Sequence, residues 1–489
     1  MRYNYTHFGS PQFRLLSGNQ IEELHLATLQ ILERTGVAFN YCQEAIEILG
    51  EAGADVSNPG RVKIPSYLVE QALRTAPKTI TLYTREGEPA IVLNGMTGSH
   101  FGGSAGGPRY LDPYTRKGRD CYAEDIADIT RVTDALPNIE WSMTASSHPT
   151  VPGTIADMVS LLQVILNTSK PVAVSINSVS GLREMLEVCS IVAGGEKELQ
   201  AKPFFISSSE PVSPLMQEKD AMEYSLICAG KGIPNIVYSM PMAGATAPAT
   251  FPGVLAIANA EVLSQLVVLQ CKRPGAPVIF GGMPNIMDMK TTIYPYGAPE
   301  LSFYVAALTE LCHYYKLPMF GTAGCTDIDI IDAQTGAEVT YQVLMSALSG
   351  ADLVHDVAIM HWGRLFSPEL TVFVNEIIDM VKVSMGGIEI NDETLPLDLI
   401  ERIGPRGTYI SEKHTLKHFR KFWAPTIFDR SVVKDESVKR CMDLLNEKTI
   451  EILRTHEPKP LPDDVIKELK KVGRNWLKRV GLEEYPKRP

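Results

Sequence analysis

Eight short apolar runs alternate with eight helix-patterned segments in the middle of the chain, and this alternation limits the possible folds more than any other feature. The apolar runs occupy residues 99–102, 139–143, 172–176, 204–208, 236–239, 278–281, 318–321 and 352–356. The helix-patterned segments occupy residues 123–135, 154–166, 180–193, 217–230, 254–270, 298–315, 330–348 and 369–384. Eight strand–helix units with right-handed crossovers close naturally into a parallel barrel. The sequence therefore predicts an α/β fold, a (β/α)8 TIM barrel.

The segments on either side of the repeats are mostly helical in pattern. Residues 1–95 predict an N-terminal helical cap with a small β hairpin, residues 96–385 the barrel, and residues 386–489 a C-terminal helical extension. A doubly wound open sheet is the alternative architecture. No G-x-G-x-x-G or P-loop pattern follows any predicted strand, which disfavours that alternative and also disfavours nucleotide cofactors.

Composition narrows the classes of partner. The net charge of -11 argues against a nucleic-acid-binding surface. No apolar run approaches the roughly 18 to 20 residues of a membrane span, and the polar N-terminus predicts a cytoplasmic protein. The eight cysteines form no C-x-x-C pair and are expected to be free thiols in a reducing compartment. No Cys or His cluster has zinc-ligand spacing, so neither a metal nor a tightly bound cofactor is expected.

The residues around the predicted strand ends favour a cationic substrate. In barrels of this kind, ligands bind at the C-terminal ends of the strands. Aromatic residues are frequent there and basic residues rare, which suits a cation held by ring faces and by one carboxylate. The candidate substrate-binding residues are Glu210, Tyr238, Asp327, His355, Trp362, Phe366, Phe101, Trp141 and Arg109.

Several of these residues have an equally good structural interpretation. Trp141 and Tyr238 lie on predicted strands and could pack between barrel and helices. Asp327 could cap the helix that follows it. A lone histidine such as His355 is more often a hydrogen-bonded core residue than a ligand contact, although Asp356 and His361 nearby make the two roles about equally probable here.

Several longer segments resemble the trimethylamine:corrinoid methyltransferase family over about residues 17 to 455. The segments are PMAGATAPAT followed by Asn259, Ala260 and Glu261, then PGAPVIFGG, YGAPE, TDIDIIDAQTGAE and GTYISEKHTLKHFRKFW with FDR at 428–430. The N-terminal ILERTGVAF and FGGSAGGPRYLDP fit as well. This combination is specific, although no single motif would be.

The resemblance implies a TIM barrel that moves a methyl group from an amine nitrogen to the cobalt of a partner corrinoid protein. The founding methylamine enzymes of the family carry pyrrolysine, whereas this chain has only standard residues. It is therefore similar to the branch that demethylates quaternary amines such as glycine betaine. A quaternary nitrogen already carries the positive charge that makes it a leaving group, so no catalytic acid is expected.

The resemblance also suggests roles for particular residues. The aromatic rings, with Glu210 or Asp327, are expected to hold the ammonium head. His355, Arg109 or the N–H groups at 102–107 would receive a betaine carboxylate. Gly102, Gly103, Gly244 and Thr246 are expected to meet the corrinoid, which the partner protein supplies. The expected partners are that cognate corrinoid protein and, on base rates for such barrels, further copies of this chain in a homo-oligomer.

Three alternatives remain open at this point. The first is a zinc-using corrinoid methyltransferase that acts on a thiol, methanol or a methoxy compound. The second is a barrel that binds a betaine without demethylating it. The third is a methylamine enzyme whose special residue is written as a standard one, which the intact mass of the protein would reveal.

Overall fold

Eight parallel strands form a closed barrel, as the sequence predicts. The computed structural model describes residues 11–95, 98–144, 148–432 and 438–488. The barrel strands are β1 (His100–Ala105), β2 (Ile139–Thr144), β3 (Val172–Val174), β4 (Phe205–Ser209), β5 (Asn235–Ser239), β6 (Val278–Gly282), β7 (Met319–Thr322) and β8 (Leu353–Val357). Each strand pairs in parallel with the next along the chain, and β8 pairs with β1 to close the barrel.

A helix follows each barrel strand and packs around the outside. These helices are α1 (Ala123–Ala135), α2 (Gly153–Asn167), α3 (Val179–Ala193), α4 (Lys219–Lys231), α5 (Phe251–Lys272), α6 (Pro299–Tyr315), α7 (Ala333–Ser349) and α8 (Pro368–Met385). A short helix, Glu196–Ala201, lies between α3 and β4. The predicted segments overlap all eight strands and all eight helices. The strands could be located because parallel strands that are buried on both faces are short and uniformly apolar.

A layer of large apolar side chains fills the lower half of the barrel. This layer, here called the floor, consists of Trp141, Ala173, Ile206, Ile236, Ile279, Phe320 and Leu353. An antiparallel hairpin, Ile80–Tyr83 with Pro89–Leu93, packs its apolar residues Ile80, Leu82, Ile91 and Leu93 against the floor. The N-terminal end of the barrel is thus closed by side chains, and a ligand can enter only from the other end.

The N-terminal helices pack on the outside of α5. They are Gly18–Gln30, the π-helical turn Ile31–Thr35, Gln43–Ala52, the 3-10 turn Pro59–Arg61 and Ser66–Thr75. Among the described residues, α5 is the one helix long and apolar enough to cross a membrane, although the sequence analysis expected no such segment. Most of α5 is buried between the barrel and these helices, as in the core helix of a folded domain.

Short strands surround the C-terminal end of the barrel. Arg109–Leu111, Gly118–Asp120, Ile359–Met360 and Leu365–Phe366 form a four-stranded sheet, and Met242–Ala243 pairs with Asn285–Ile286. Because these strands follow β1, β5, β6 and β8, they build the walls of the barrel mouth. They therefore extend the barrel above the point where its own strands end.

The C-terminal extension wraps the outside of the barrel. Its helices are Leu397–Ile403, Lys413–His418, the 3-10 turn Phe419–Lys421, Cys441–Thr455 and Asp463–Arg479. Cys441–Thr455 packs on α1 and α8, and Asp463–Arg479 packs on α2 and α3. All eight cysteines are free, and six of them are buried.

Candidate active site

A cavity of 320 Å³ opens at the C-terminal end of the barrel, above the floor. Its walls carry three thioethers and three aromatic rings, together with hydroxyl groups and one imidazole–carboxyl pair. The lining residues are Ser104, Gly106, Gly107, Pro108, Met143, Thr144, Ser175, Tyr238, Met240, Met283, Tyr296, His355, Asp356, Ile359, Gly363 and Phe366. Larger cavities lie on the flank and at the closed end of the protein. Of these three cavities, the one at the mouth, lined by described residues, lies where converging strand ends place chemistry in a barrel.

His355 and Asp356, at the end of β8, form a buried imidazole–carboxyl pair. The His355 Nδ1 lies 3.1 Å from the carbonyl oxygen of Gly321, and a carbonyl only accepts, so Nδ1 carries a proton. The His355 Nε2 lies 3.3 Å from the Asp356 Oδ1. Burial lowers the pKa of His355 and raises the pKa of Asp356, so burial disfavours the charged form of each group, while the charge of each partner opposes the shift of the other. Both nitrogens of the ring are therefore engaged.

Glu210 follows β4 directly and does not itself line the cavity, but its carboxylate interacts with the hydroxyl group of Tyr238, which does. The residue is exposed to solvent at the mouth, yet protein surrounds the carboxylate on most sides. This burial raises its pKa to about 7; a hydrogen-bonding interaction with the Tyr238 hydroxyl opposes the shift and the charge of Glu261 adds to it. Glu210 is thus balanced between its neutral and charged forms near neutral pH, and a bound cation would favour the charged form.

Hydrogen bonds between the Tyr296 backbone and two other residues fix the position of the Tyr296 ring. The carboxylate of Asp327 accepts hydrogen bonds from the Tyr296 N–H (2.7 Å) and the Gly297 N–H (2.9 Å). The Gln342 Nε2 donates to the Tyr296 carbonyl at 2.9 Å. A Cβ at Gly297 would lie 2.3 Å from the Glu338 Oε1, so a larger residue in this turn would displace the Glu338 carboxylate. Asp327 therefore orients an aromatic wall of the cavity from behind and does not itself line the cavity.

Replacing Asp327 with alanine is expected to weaken ligand binding about tenfold, the equivalent of roughly one hydrogen bond, because the Tyr296 backbone loses its acceptor. Asp327→Asn keeps one acceptor oxygen and should recover part of that loss. Calorimetric titration of each variant with the same ammonium ligand, beside its melting temperature, measures the effect. Equal losses of binding in the two variants would contradict the positioning role.

Four of the residues expected at the mouth lie in packed layers instead. Trp141 is buried in the floor, and its Nε1 donates to the His100 carbonyl at 3.0 Å. Phe101 packs between the barrel and its helices. A Cβ on Gly102 would lie 2.2 Å from the Trp141 ring, and one on Gly103 would lie 2.5 Å from the Thr133 Oγ1. These two glycines make room for neighbouring side chains, so the structure offers neither of them to a corrinoid.

Four other expected residues lie on the rim, outside the cavity lining. Trp362 is 37% exposed and contacts His361 with ring centroids 4.5 Å apart. The Arg109 guanidinium donates to the Gly118 carbonyl at 2.7 Å, on the outer sheet. Gly244 and Thr246 shape an exposed turn after β5, in which the Thr246 Oγ1 accepts from the Met242 N–H at 2.8 Å. Residues 145–147, which follow β2 in the sequence, lie outside the described residues.

The structure brings together three expected residues, Tyr238, His355 and Phe366, and adds others that the sequence analysis did not select. The added residues include Tyr296, Asp356 and the three methionines, Met143, Met240 and Met283, all of which line the cavity. One feature of the fold marks the same region: Asp356, Ala358, His361 and Trp362 all have positive φ values. Such strain in residues other than glycine clusters at functional sites. It depends on backbone geometry, so the sequence could not reveal it.

The described residues contain no group of three or more His, Cys, Asp or Glu side chains placed to hold a metal ion. Of the described lining residues, none is a lysine or an arginine. The cavity can therefore hold a methylated cation between rings and thioethers, with a carboxylate close by.

Comparison with known proteins gives matches along almost the whole chain. A model of the family described as trimethylamine methyltransferase (MTTB) matches residues 1–475. The chain is 36% identical over 474 residues to the trimethylamine methyltransferase MttB of Desulfitobacterium hafniense, covering 95% of this chain and 94% of that protein. It is 28% identical over 424 residues to a glycine betaine methyltransferase of the same species, covering 86% and 88%. The solved monomethylamine methyltransferase MtmB of Methanosarcina barkeri shares the fold, with a TM-score of 0.53 at 12% identity and coverage of 96% and 89%.

Proposed function

The chain belongs to the trimethylamine methyltransferase family, and we propose that it transfers a methyl group from a quaternary amine to the Co(I) of a partner corrinoid protein. Glycine betaine and related betaines are the quaternary amines that the sequence resemblance suggests. The observation that carries the proposal is the cavity itself. Three rings, three thioethers and the adjacent Glu210 form an electron-rich wall around a space of 320 Å³.

A quaternary ammonium suits a chain made only of standard residues. In the proposed reaction the bond between the methyl carbon and nitrogen breaks, and its electron pair stays on nitrogen. The amine therefore leaves neutral and needs no proton from an acid. The electron pair of the new bond comes from the acceptor, which arrives as a substrate on the partner protein. A tertiary amine would first need an activating adduct, and no residue of this chain is known to supply one.

The cavity residues would hold and aim the ammonium head. Tyr238, Tyr296 and Phe366 would contact the methyl groups through ring faces, and Glu210 would supply the counter-charge. Most of the rate acceleration would come from alignment and exclusion of water. Because the positive charge disappears as the methyl group leaves, several carboxylates would stabilise the bound substrate more than the transition state. A site with few carboxylates and many rings reduces this penalty.

The rim fits the approach of a second protein. The turn at Gly244 and Thr246 is exposed and made of small residues, so it leaves the mouth accessible. We also retain the expectation of a homo-oligomer. Segment 383–432 exposes several large apolar side chains, such as Ile388, Ile410 and Phe422, which a second copy of the chain would cover.

The proposal is tested by incubating the purified chain with Co(I) cobalamin under anaerobic conditions and a panel of methylated amines. We expect loss of the Co(I) absorbance together with formation of the demethylated amine in the 1H NMR spectrum, for at least one quaternary amine and not for trimethylamine. Turnover of trimethylamine alone would overturn the proposal. Binding without turnover, with the corrinoid protein present, would favour the non-catalytic barrel, and one zinc ion per chain would favour the zinc-using alternative.

A further inference from the structure

We propose that the cavity selects its substrate by charge and takes a quaternary ammonium without a carboxylate, such as a choline-type alcohol, in preference to a betaine. This inference rests on the proposed function and narrows its substrate class. It departs from the betaine that the sequence resemblance suggests. The reason is that the cavity has partners for a cation and a hydroxyl group but no cationic partner for a carboxylate.

No described cavity residue offers a positive charge. The described lining contains no lysine or arginine. Residues 145–147, which lie outside the described part of the chain, are uncharged in the sequence. Arg109 donates to the Gly118 carbonyl on the outer sheet, and neither Arg109 nor the exposed Arg364 lines the cavity. A carboxylate inside the cavity would therefore be buried without an ionic partner, which is costly.

His355 cannot replace the missing cation. Its Nδ1 proton is donated to the Gly321 carbonyl, and its Nε2 faces the Asp356 carboxyl group. The ring therefore has no free N–H for a ligand. The Gly107 N–H is likewise directed at the Cys121 sulfur. The side-chain donors that remain on the described lining are neutral hydroxyl groups, of Ser104, Thr144, Ser175 and Tyr296.

Glu210 adds a repulsive element. In glycine betaine a single carbon separates the ammonium from the carboxylate, so an ammonium head inside the cavity carries the carboxylate in with it. That carboxylate would share the mouth with Glu210, and like charges in a site of low polarity repel strongly. A choline-type substrate has a hydroxyl group at the corresponding end, which Ser104, Thr144 or Ser175 can bond. Attraction to the cation and rejection of the anion therefore act in the same direction.

The test is equilibrium binding to the intact chain by calorimetry at pH 8, with three ligands of similar size. Choline is the cation, 3,3-dimethyl-1-butanol is its uncharged carbon analogue, and glycine betaine adds the carboxylate. We expect choline to bind at least tenfold more tightly than either of the other two. Methyl transfer to Co(I) cobalamin should show the same preference in kcat/KM.

The outcomes separate this inference from the proposed function. If glycine betaine binds and is demethylated as well as or better than choline, the charge selection is wrong and the methyltransferase proposal stands. If the uncharged analogue binds as tightly as choline, shape and not charge governs the cavity, and the inference again fails. If none of the quaternary amines is demethylated, the proposed function fails, while the binding titration still decides whether the cavity selects by charge.

Discussion

Replacing Glu210 with glutamine should raise the KM for a quaternary ammonium substrate by about 30-fold, while kcat changes little. The carboxylate stands at the edge of the cavity and is partly withdrawn from water, so its attraction for a cation exceeds that of a surface charge. Because the substrate loses its charge as the methyl group departs, the attraction stabilises the bound substrate more than the transition state. Steady-state kinetics on the two proteins separates these effects.

The same carboxylate should give the wild-type protein a pH dependence that the variant lacks. Its raised pKa, about 7, means that the group becomes neutral as the pH falls through neutrality. Cation affinity should then decrease about tenfold for each pH unit well below that pKa, down to the affinity of the glutamine variant. The tyrosines facing Glu210, at positions 224, 238, 294 and 296, have raised pKa values and stay neutral. The remaining neighbour, Glu261, has a pKa raised by burial.

Stability supplies the control for this variant. A carboxyl group whose pKa is raised in the folded protein destabilises the folded state at a pH above the pKa that the group has in the unfolded chain. Glu210→Gln removes this effect, so the variant should melt at the same or a higher temperature than the wild type at pH 8. Glu210→Asp keeps the charge on a shorter side chain, so its KM should lie between that of the wild type and that of Glu210→Gln. Unchanged KM and pH dependence in Glu210→Gln would contradict the role of Glu210 as counter-charge. The preference for choline over glycine betaine should also narrow in this variant.

Replacing Gly102 with alanine should destabilise the folded protein by about 1–3 kcal/mol or more, through overpacking. The added Cβ would lie 2.2 Å from the Trp141 ring, which is fixed in the floor of the barrel and hydrogen-bonded to the His100 carbonyl. Neither the strand backbone nor the buried indole can move without disturbing the neighbouring strands. Denaturant unfolding of the variant beside the wild type measures this loss.

Gly230→Ala is the matched control for this substitution. Gly230 lies near the end of α4, and a Cβ there meets nothing within 4 Å. Alanine favours helix over glycine, so this variant should be neutral or more stable by about 0.5–1 kcal/mol. Combining Gly102→Ala with Trp141→Phe should restore part of the lost stability, because the smaller ring withdraws from the new methyl group. A Gly102→Ala protein as stable as the wild type would contradict the packing of Trp141 on Gly102.

Sequence periodicity predicted the barrel, but it identified only some of the residues that line the cavity. Tyr238, His355 and Phe366 follow from their positions at or just beyond strand ends, and all three line the cavity. Trp141 has the same kind of position on its strand, yet it lies one layer lower, in the floor. Parallel strands in a barrel are apolar on both faces, so the residue pattern does not show whether a side chain points into the barrel or towards the surrounding helices. It also does not show in which layer of the barrel interior a side chain lies.

Loop residues were harder still to foresee. Tyr296 reaches the cavity because Asp327 and Gln342, both from the next β/α unit along the chain, hold its backbone. The sequence identified Asp327 as a candidate but not its action through Tyr296. Likewise, Arg109 suggested a partner for a carboxylate, and its strand in the outer sheet directs it to the Gly118 carbonyl instead.

The order of apolar runs and helical segments by itself determined that this chain forms a closed parallel barrel, since each β/α unit can bury its apolar surface only against its neighbours. Only the tertiary structure decided which side chains meet above the floor, which histidine nitrogens are free, and where the positive charges lie. Those properties arise from contacts between residues far apart in the chain, and local sequence patterns do not encode such contacts.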